Sequence, residues 1–206
     1  RDLHVRSCRQ RQMCIRDRIL NSIRMYNKRY REEYGQLVIC ADGMNTWRKQ
    51  FFPEYKASRK KNRDSSGQDW SEIFRILHTV RDEINEYMPY KVVHLEGVEA
   101  DDVIGTLTMQ TQEFGQAEPV MIISSDKDFI QLQKFNNVKQ FSPIQKKFVT
   151  DKNPRTYLFN HVMRGDSGDG IPNVLSADDT FISEKSQTPL RQTKIDNWLE
   201  NADNLR

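Results

Sequence analysis

The sequence predicts an α/β fold, a mainly parallel central sheet flanked by helices. Two short runs rich in β-branched residues, Lys91–Leu95 and Val120–Ser124, are bounded by turn formers and read as buried strands. Between them, Ala100–Phe114 places Val103, Ile104 and Leu107 on one helical face. Two acidic clusters, Glu99/Asp101/Asp102 and Asp126/Asp128, stand where a strand meets a helix. Ligands of open α/β sheets bind outside the carboxyl ends of the strands. These acids are therefore expected in the crevice where such folds do their chemistry.

Clustered carboxylates need compensation. Two of them ~4 Å apart repel by about 4 kcal/mol at an effective dielectric of roughly 20. Protonation or bound divalent cations would supply the relief. Oxygen ligands with no nearby His or Cys favour Mg²⁺ or Mn²⁺ over zinc.

The elements follow in order. Residues 1–18 show neither helical nor strand periodicity, and two readings apply. One is a disordered basic arm. The other, preferred, is a non-native leader: Met13–Asp17 reads as the translated end of a transposon sequencing adapter, ATG TGT ATA AGA GAC. On that reading authentic sequence starts near Arg18 and a preceding strand is lost. Ile19–Tyr34 has helical spacing and Gly35 as its stop, and Leu37–Ala41 is a buried strand ending at Asp42-Gly43. Asp42 is either a turn former or a site carboxylate at the strand's carboxyl end. Asp69 caps a helix through Met88 whose apolar stripe is core, and Pro89 ends it. His78 and His94 have no Ser or Cys partner and read as structural.

Beyond Asp128, Phe129–Gln133 is a short helical turn, Val138–Phe141 a strand and Lys146–Val149 a smaller one. Pro154 opens a helix through Arg164. Gly165–Pro172, GDSGDGIP, is a Gly-rich loop with Asp166 and Asp169 three apart, and it lacks the alternating acids of an EF-hand. Residues 173–187 carry little pattern, and Thr193–Leu205 reads as a modest amphipathic helix.

Composition narrows the function classes. At 206 residues the chain suits one domain with a small appendage. No run of 18 apolar residues spans a membrane, and the polar start is no secretory signal. Cys8, Cys14 and Cys40 form no metal spacing and suggest a reducing compartment, so a cytoplasmic location is expected. The net charge of +3 is unevenly distributed: six of the 32 basic and two of the 29 acidic residues lie in 1–18, and the remaining 26 and 27 nearly cancel. Within that remainder Arg48–Arg63 carries seven Lys/Arg against Glu54 alone. Cations there interleave with aromatic rings, a pattern that tracks phosphates and stacks on unpaired bases. Arg48, Lys49, Tyr55, Lys56, Arg59, Lys60, Lys61 and Arg63 are the candidate nucleic-acid contacts, against the plain alternative of a solvated basic loop.

With ICADG, FFPEYKASR, GVEADDVIGTL, IISSDKDFIQL and RGDSGDGIP in this order, the chain resembles the flap-endonuclease, or 5′-nuclease, family. That family includes phage 5′-exonucleases and the 5′-nuclease domain of bacterial DNA polymerase I, and the chain resembles its branch of T-even phage ribonucleases H. The resemblance spans about Leu37–Pro172 and implies a PIN-like fold with a basic helical arch and a small helical C-terminal part. It implies that Asp42, Glu99, Asp101 and Asp126 surround a first metal ion, with Asp102 in the same cluster, and that Asp128, Asp166 and Asp169 surround a second. Lys56 matches the lysine on the scissile phosphate, and Arg59 a basic arch residue. Two Mg²⁺ ions, replaceable by Mn²⁺, would activate water and stabilise the leaving oxyanion. The implied role is removal of RNA primers and 5′ flaps from DNA and RNA–DNA hybrids during phage replication, in the host cytoplasm. A sliding clamp and a single-strand-binding protein are the replication proteins such an enzyme would meet.

Three departures stand against the family pattern. The Asp-bearing first strand is replaced by the leader, no Gly-x-Gly-x-Lys turn follows Pro172, and relatives extend further. The expected layout is a leader over 1–18, a catalytic domain over 19–164 and the start of a truncated helical region over 165–206. The alternative is an impaired fragment acting only as a metal-dependent DNA-binding module. A dehalogenase-type phosphatase using Asp126-Lys127-Asp128 is disfavoured, because that chemistry needs its Asp-x-Asp on the first strand.

Overall fold

The computed structural model describes residues 2–183 and 185–204, with the side chains of residues 2–12, 60, 61, 203 and 204 outside the description. The chain divides into two compact units, residues 1–44 with 68–104, and residues 45–67 with 105–206.

The first unit begins with α1, Asp2–Tyr34, followed by β1, Val38–Ala41. Helix α1 runs straight through the stretch that showed no periodicity. No Gly or Pro occurs before Gly35, and Arg, Gln, Leu and Met favour helix whatever their spacing. Ile15, Ile19, Leu20 and Ile23 pack on Ile76, Val80 and Ile84, the buried stripe of the helix capped by Asp69. Fully burying each of these three contributes roughly 1.5–3 kcal/mol. That outweighs the exposed Arg16–Glu83 ion pair at 3.1 Å, a type worth about 1 kcal/mol at most. The packing, not the charge, holds α1 in place.

After α2 (Arg48–Phe51) and α3 (Ala57–Ser65), both in the second unit, α4 (Trp70–Tyr87) returns to the first. Its cap is as predicted: Asp69 accepts a hydrogen bond from the Glu72 N–H at 3.0 Å. Strand β2, Lys91–His94, pairs parallel with β1, and α5, Ala100–Met109, follows. The helix expected through Phe114 continues as a π-helical turn, Gln110–Phe114.

In the second unit β3, Val120–Ile123, leads into a 3₁₀ helix, Lys127–Lys134. Strand β4, Val138–Ser142, lies parallel to β3, and β5, Lys147–Val149, lies antiparallel to β4. Helix α6, Pro154–Arg164, and helix α7, Gln192–Asn204, complete the unit. Its core gathers Ile122, Phe129, Ile130, Leu132, Val138, Phe141 and Ile195.

The strands form a parallel two-stranded sheet in the first unit and, in the second, a three-stranded sheet with a parallel pair and an antiparallel edge. The basic stretch carries α2 and α3, in keeping with the helical arch the resemblance implies: Arg, Lys and Gln favour helix in α2, and Ala, Arg and Lys in α3 between Pro53 and Gly67.

Candidate active site

Fixed backbone donors hold the acids of the first unit. Asp42 lies just past β1, and its Oδ1 accepts from the Ala100 N–H at 2.8 Å, which ties the strand end to the start of α5. Gly43 makes this approach possible: its N–H donates to the Val98 carbonyl at 2.8 Å, and a Cβ there would overlap the Leu95 carbonyl. Glu99 is buried, and its N–H donates to Asp102 Oδ2 at 3.2 Å. Asp101 and Asp102 occupy the first turn of α5, where the helix dipole favours negative charge.

In the second unit, a buried polar side chain shapes the turn after β3. Gln140 of β4, 1% exposed, donates through Nε2 to the carbonyls of Ser124, at 3.0 Å, and Asp126. The Ser125 and Ser142 hydroxyls meet at 2.7 Å. Asp126 then caps the 3₁₀ helix by accepting from the Asp128 N–H at 3.0 Å. This places Asp128 where burial, and next the Asp126 carboxylate, raise its pKa. His161, in the last turn of α6, partly offsets that rise: its Nε2 is 3.1 Å from Asp128 and 4.0 Å from Asp166. The His161 ring stacks on Tyr157, whose own pKa is raised by burial and then by Asp128.

The Gly-rich loop folds back on itself. Asp166 accepts from the Gly168 N–H at 2.7 Å, while the backbones of Asp166 and Ile171 pair. Asp169 faces the basic stretch. Its Oδ2 accepts from the Tyr55 hydroxyl at 3.1 Å, Arg59 grips Oδ1, and Lys56 Nζ lies 3.9 Å away. The Lys56 N–H also donates to the Asp169 carbonyl at 2.8 Å. Gly170, at φ +77°, lets the loop sit this close, since a Cβ there would come within 3.2 Å of the Glu54 carbonyl. Lys56 itself has φ 58° and ψ 20°. Such left-handed backbone costs a non-glycine residue about 1 kcal/mol, and the turn into α3 imposes it.

The structure thus brings together Lys56, Arg59 and Asp169, and likewise Asp128, Asp166 and His161. The first predicted ligand set draws Asp42, Glu99 and Asp101 from the first unit and Asp126 from the second, whereas the second set lies wholly in the second unit. Among the described residues no three His, Cys, Asp or Glu side chains are arranged to hold one metal ion as they stand. Their chemistry still suits a hard cation: the donors are mainly carboxylate oxygens, and burial, then the neighbouring Asp126 carboxylate, raise the Asp128 pKa, a cost that a bound cation would relieve. Tyr55, expected among the nucleic-acid contacts, is 4% exposed and donates its hydroxyl hydrogen to Asp169. Arg48 stacks on Trp47 at 4.8 Å, Lys49 is exposed, Arg63 is half-buried, and the side chains of Lys60 and Lys61 lie outside the described residues. Sequence reasoning missed His161 and Gln140. Both signals were present: a histidine one turn before an Asp-rich loop, and a glutamine on the buried side of a strand.

Parallel strand pairs accompanied by helices, acids just past the strand ends and, in the second unit, a cationic stretch against an Asp-rich loop define an α/β protein. The sequence matches the family described as 5′-3′ exonuclease, N-terminal resolvase-like domain, over residues 8–158, and the chain belongs to that family. It is 37% identical over 188 residues to ribonuclease H of Enterobacteria phage T4, covering 88% of this chain and 61% of the relative. It is 31% identical over 160 residues to flap endonuclease Xni of a Shewanella strain, covering 72% and 54%. The chain therefore spans between half and two thirds of these relatives. The phage T5 D15 flap endonuclease, solved as a pseudo-enzyme-product complex with DNA and metal ions, superposes with a TM-score of 0.66 at 18% identity. That superposition covers 89% of this chain and 75% of the T5 chain, and it establishes the fold. No described helix is long and apolar enough to cross a membrane.

Proposed function

We propose that this chain is the catalytic portion of a divalent-metal-dependent 5′-nuclease that hydrolyses phosphodiester bonds at 5′ ends and flaps, RNA primers included. The observation that carries this reading is the placement of Lys56 and Arg59 beside Asp169. Phosphate-binding cations and metal-binding carboxylates on one small surface are what phosphodiester hydrolysis requires. Family membership and the metal and DNA named for the T5 structure support it.

Asp42, Glu99, Asp101, Asp102 and Asp126 would hold one cation, and Asp128, Asp166 and Asp169 a second, Mg²⁺ with Mn²⁺ as substitute. When bound, such cations supply an activated water and neutralise charge on the leaving oxygen. Lys56 and Arg59 donate to the nonbridging oxygens, while Arg48, Lys49 and Arg63 track the flanking phosphates. Gln140 fixes the backbone from which Asp126 and Asp128 project. We assign catalysis to residues 19–164 with the loop that follows, which 165–206 continues into a helical region.

A labelled 5′-flap substrate with Mg²⁺ tests the reading. Cutting is expected from the chain, and Asp126→Asn should lower it by about a thousandfold or more while DNA affinity holds or rises. Cation-dependent binding without cutting would favour the binding module instead. Unchanged cutting by Asp126→Asn would remove Asp126 from the ligand set.

A further inference from the structure

We propose that Asp169 is a shared carboxylate, held by Tyr55, Lys56 and Arg59 when no divalent cation is present and given up to the cation when one binds, so that cation and nucleic acid strengthen each other's binding. This rests on the proposed nuclease reading of the same site.

The geometry is specific to Asp169. Four groups of residues 55–59 converge on it: the Tyr55 hydroxyl, the Arg59 guanidinium, Lys56 Nζ and the Lys56 backbone N–H. The Asp169 side chain is largely covered, at 17% exposure, as is that of Lys56 at 21%. This contact is thus less screened than a surface ion pair. Gly170 is the residue that permits the loop to approach Glu54 so closely. Asp128 and Asp166, by contrast, turn toward His161 and make none of these contacts.

The consequence follows from charge. A lysine and an arginine neutralised by their own carboxylate attract phosphate weakly. A cation that takes Asp169 releases both to the phosphate. By linkage, phosphate that takes Lys56 and Arg59 releases Asp169 to the cation, and the two effects must be equal in size. Tyr55 acts as a positioning residue, since it sets which way Asp169 points without reaching substrate.

Binding of a labelled 5′-flap DNA, followed by fluorescence anisotropy in chelator and in Ca²⁺ with the DNA checked on a gel, tests this. The unsubstituted chain should bind about tenfold more tightly with Ca²⁺. Asp169→Asn should bind in chelator nearly as tightly as the unsubstituted chain does with Ca²⁺, and should lose most of the Ca²⁺ effect. Asp151→Asn removes the same charge in the same unit without touching Lys56 or Arg59, and should leave chelator affinity within about twofold. Equal gains from both variants would mean general repulsion and overturn the proposal. No gain from Asp169→Asn would overturn it too. Tyr55→Phe, which changes one hydroxyl, should shift affinity in the same direction by less, and no shift there would count against the positioning role. If no chain binds DNA under either condition, the nuclease reading itself fails. If all bind and respond to Ca²⁺ alike, only the sharing of Asp169 fails.

Discussion

Some acids of the two units sit in opposite electrostatic settings, although Asp126 and Asp166 of the second unit also accept backbone N–H groups. In the first, Asp42 and Asp102 accept backbone N–H groups at a strand–helix junction, and Asp69 caps α4 in the same manner. In the second, Asp128 is desolvated beside Asp126, and Asp169 is compensated by Tyr55, Lys56 and Arg59. Backbone donors are fixed by the fold and persist whatever binds. Side-chain cations can be withdrawn. The comparison separates acids placed by the chain's path from acids whose partners are exchangeable, and the second kind is where ligands gain leverage.

The largest expected effect tests the backbone-fixed side. Gly43→Ala puts a Cβ onto the Leu95 carbonyl, so the strand–helix junction must shift. A loss of about 3 kcal/mol in urea unfolding is expected. A loss below about 1 kcal/mol would show that the junction gives way easily and erase the contrast. Next comes Gln140→Leu, which leaves the Ser124 and Asp126 carbonyls without their buried donor. A cost of about 2 kcal/mol follows from unpaired buried acceptors, and cation affinity should fall with it. An unchanged midpoint would mean that the turn after β3 holds its shape without β4.

Smaller effects concern pH, with opposite signs in the two units. Asp128 has a raised pKa when folded, so its contribution is full below the unfolded carboxylate range and is lost as pH rises through the folded value. Asp128→Asn should therefore raise the metal-free melting temperature at neutral pH, by roughly 1–3 °C after allowance for solvent screening. Added divalent cation should narrow that difference. Asp69 goes the other way. The Ser71 hydroxyl, and then the Glu72 N–H, lower its pKa, so its contribution exists above the unfolded value and is lost as pH falls through the folded one. Melting curves of Asp69→Asn across acid pH should show a small deficit at neutrality that closes in acid. A deficit that widened in acid would refute the assignment of the cap.

Where periodicity and local chemistry agree, the fold was legible from residues alone. The stripe of α4, its Asp69 cap and the opening of α6 at Pro154 all appear as read. Helix α1 was not legible across residues 1–18, because good helix formers without an apolar stripe leave no periodic signal. The same holds for α3, whose composition looked like a basic loop. Within the site, the acids announced themselves by motif, but their partners did not. Nothing local says that Asp169 meets residues 110 or more positions earlier, or that Tyr55 is buried there. Those contacts depend on how a glycine-rich loop closes, which spacing does not encode.

The left-handed backbone at Lys56 makes curvature and charge separable at one residue. An engineer could put glycine there, keep the bend without its steric penalty, and so isolate what the ammonium group alone contributes. Valine or isoleucine would do the reverse, punishing the bend and the charge together.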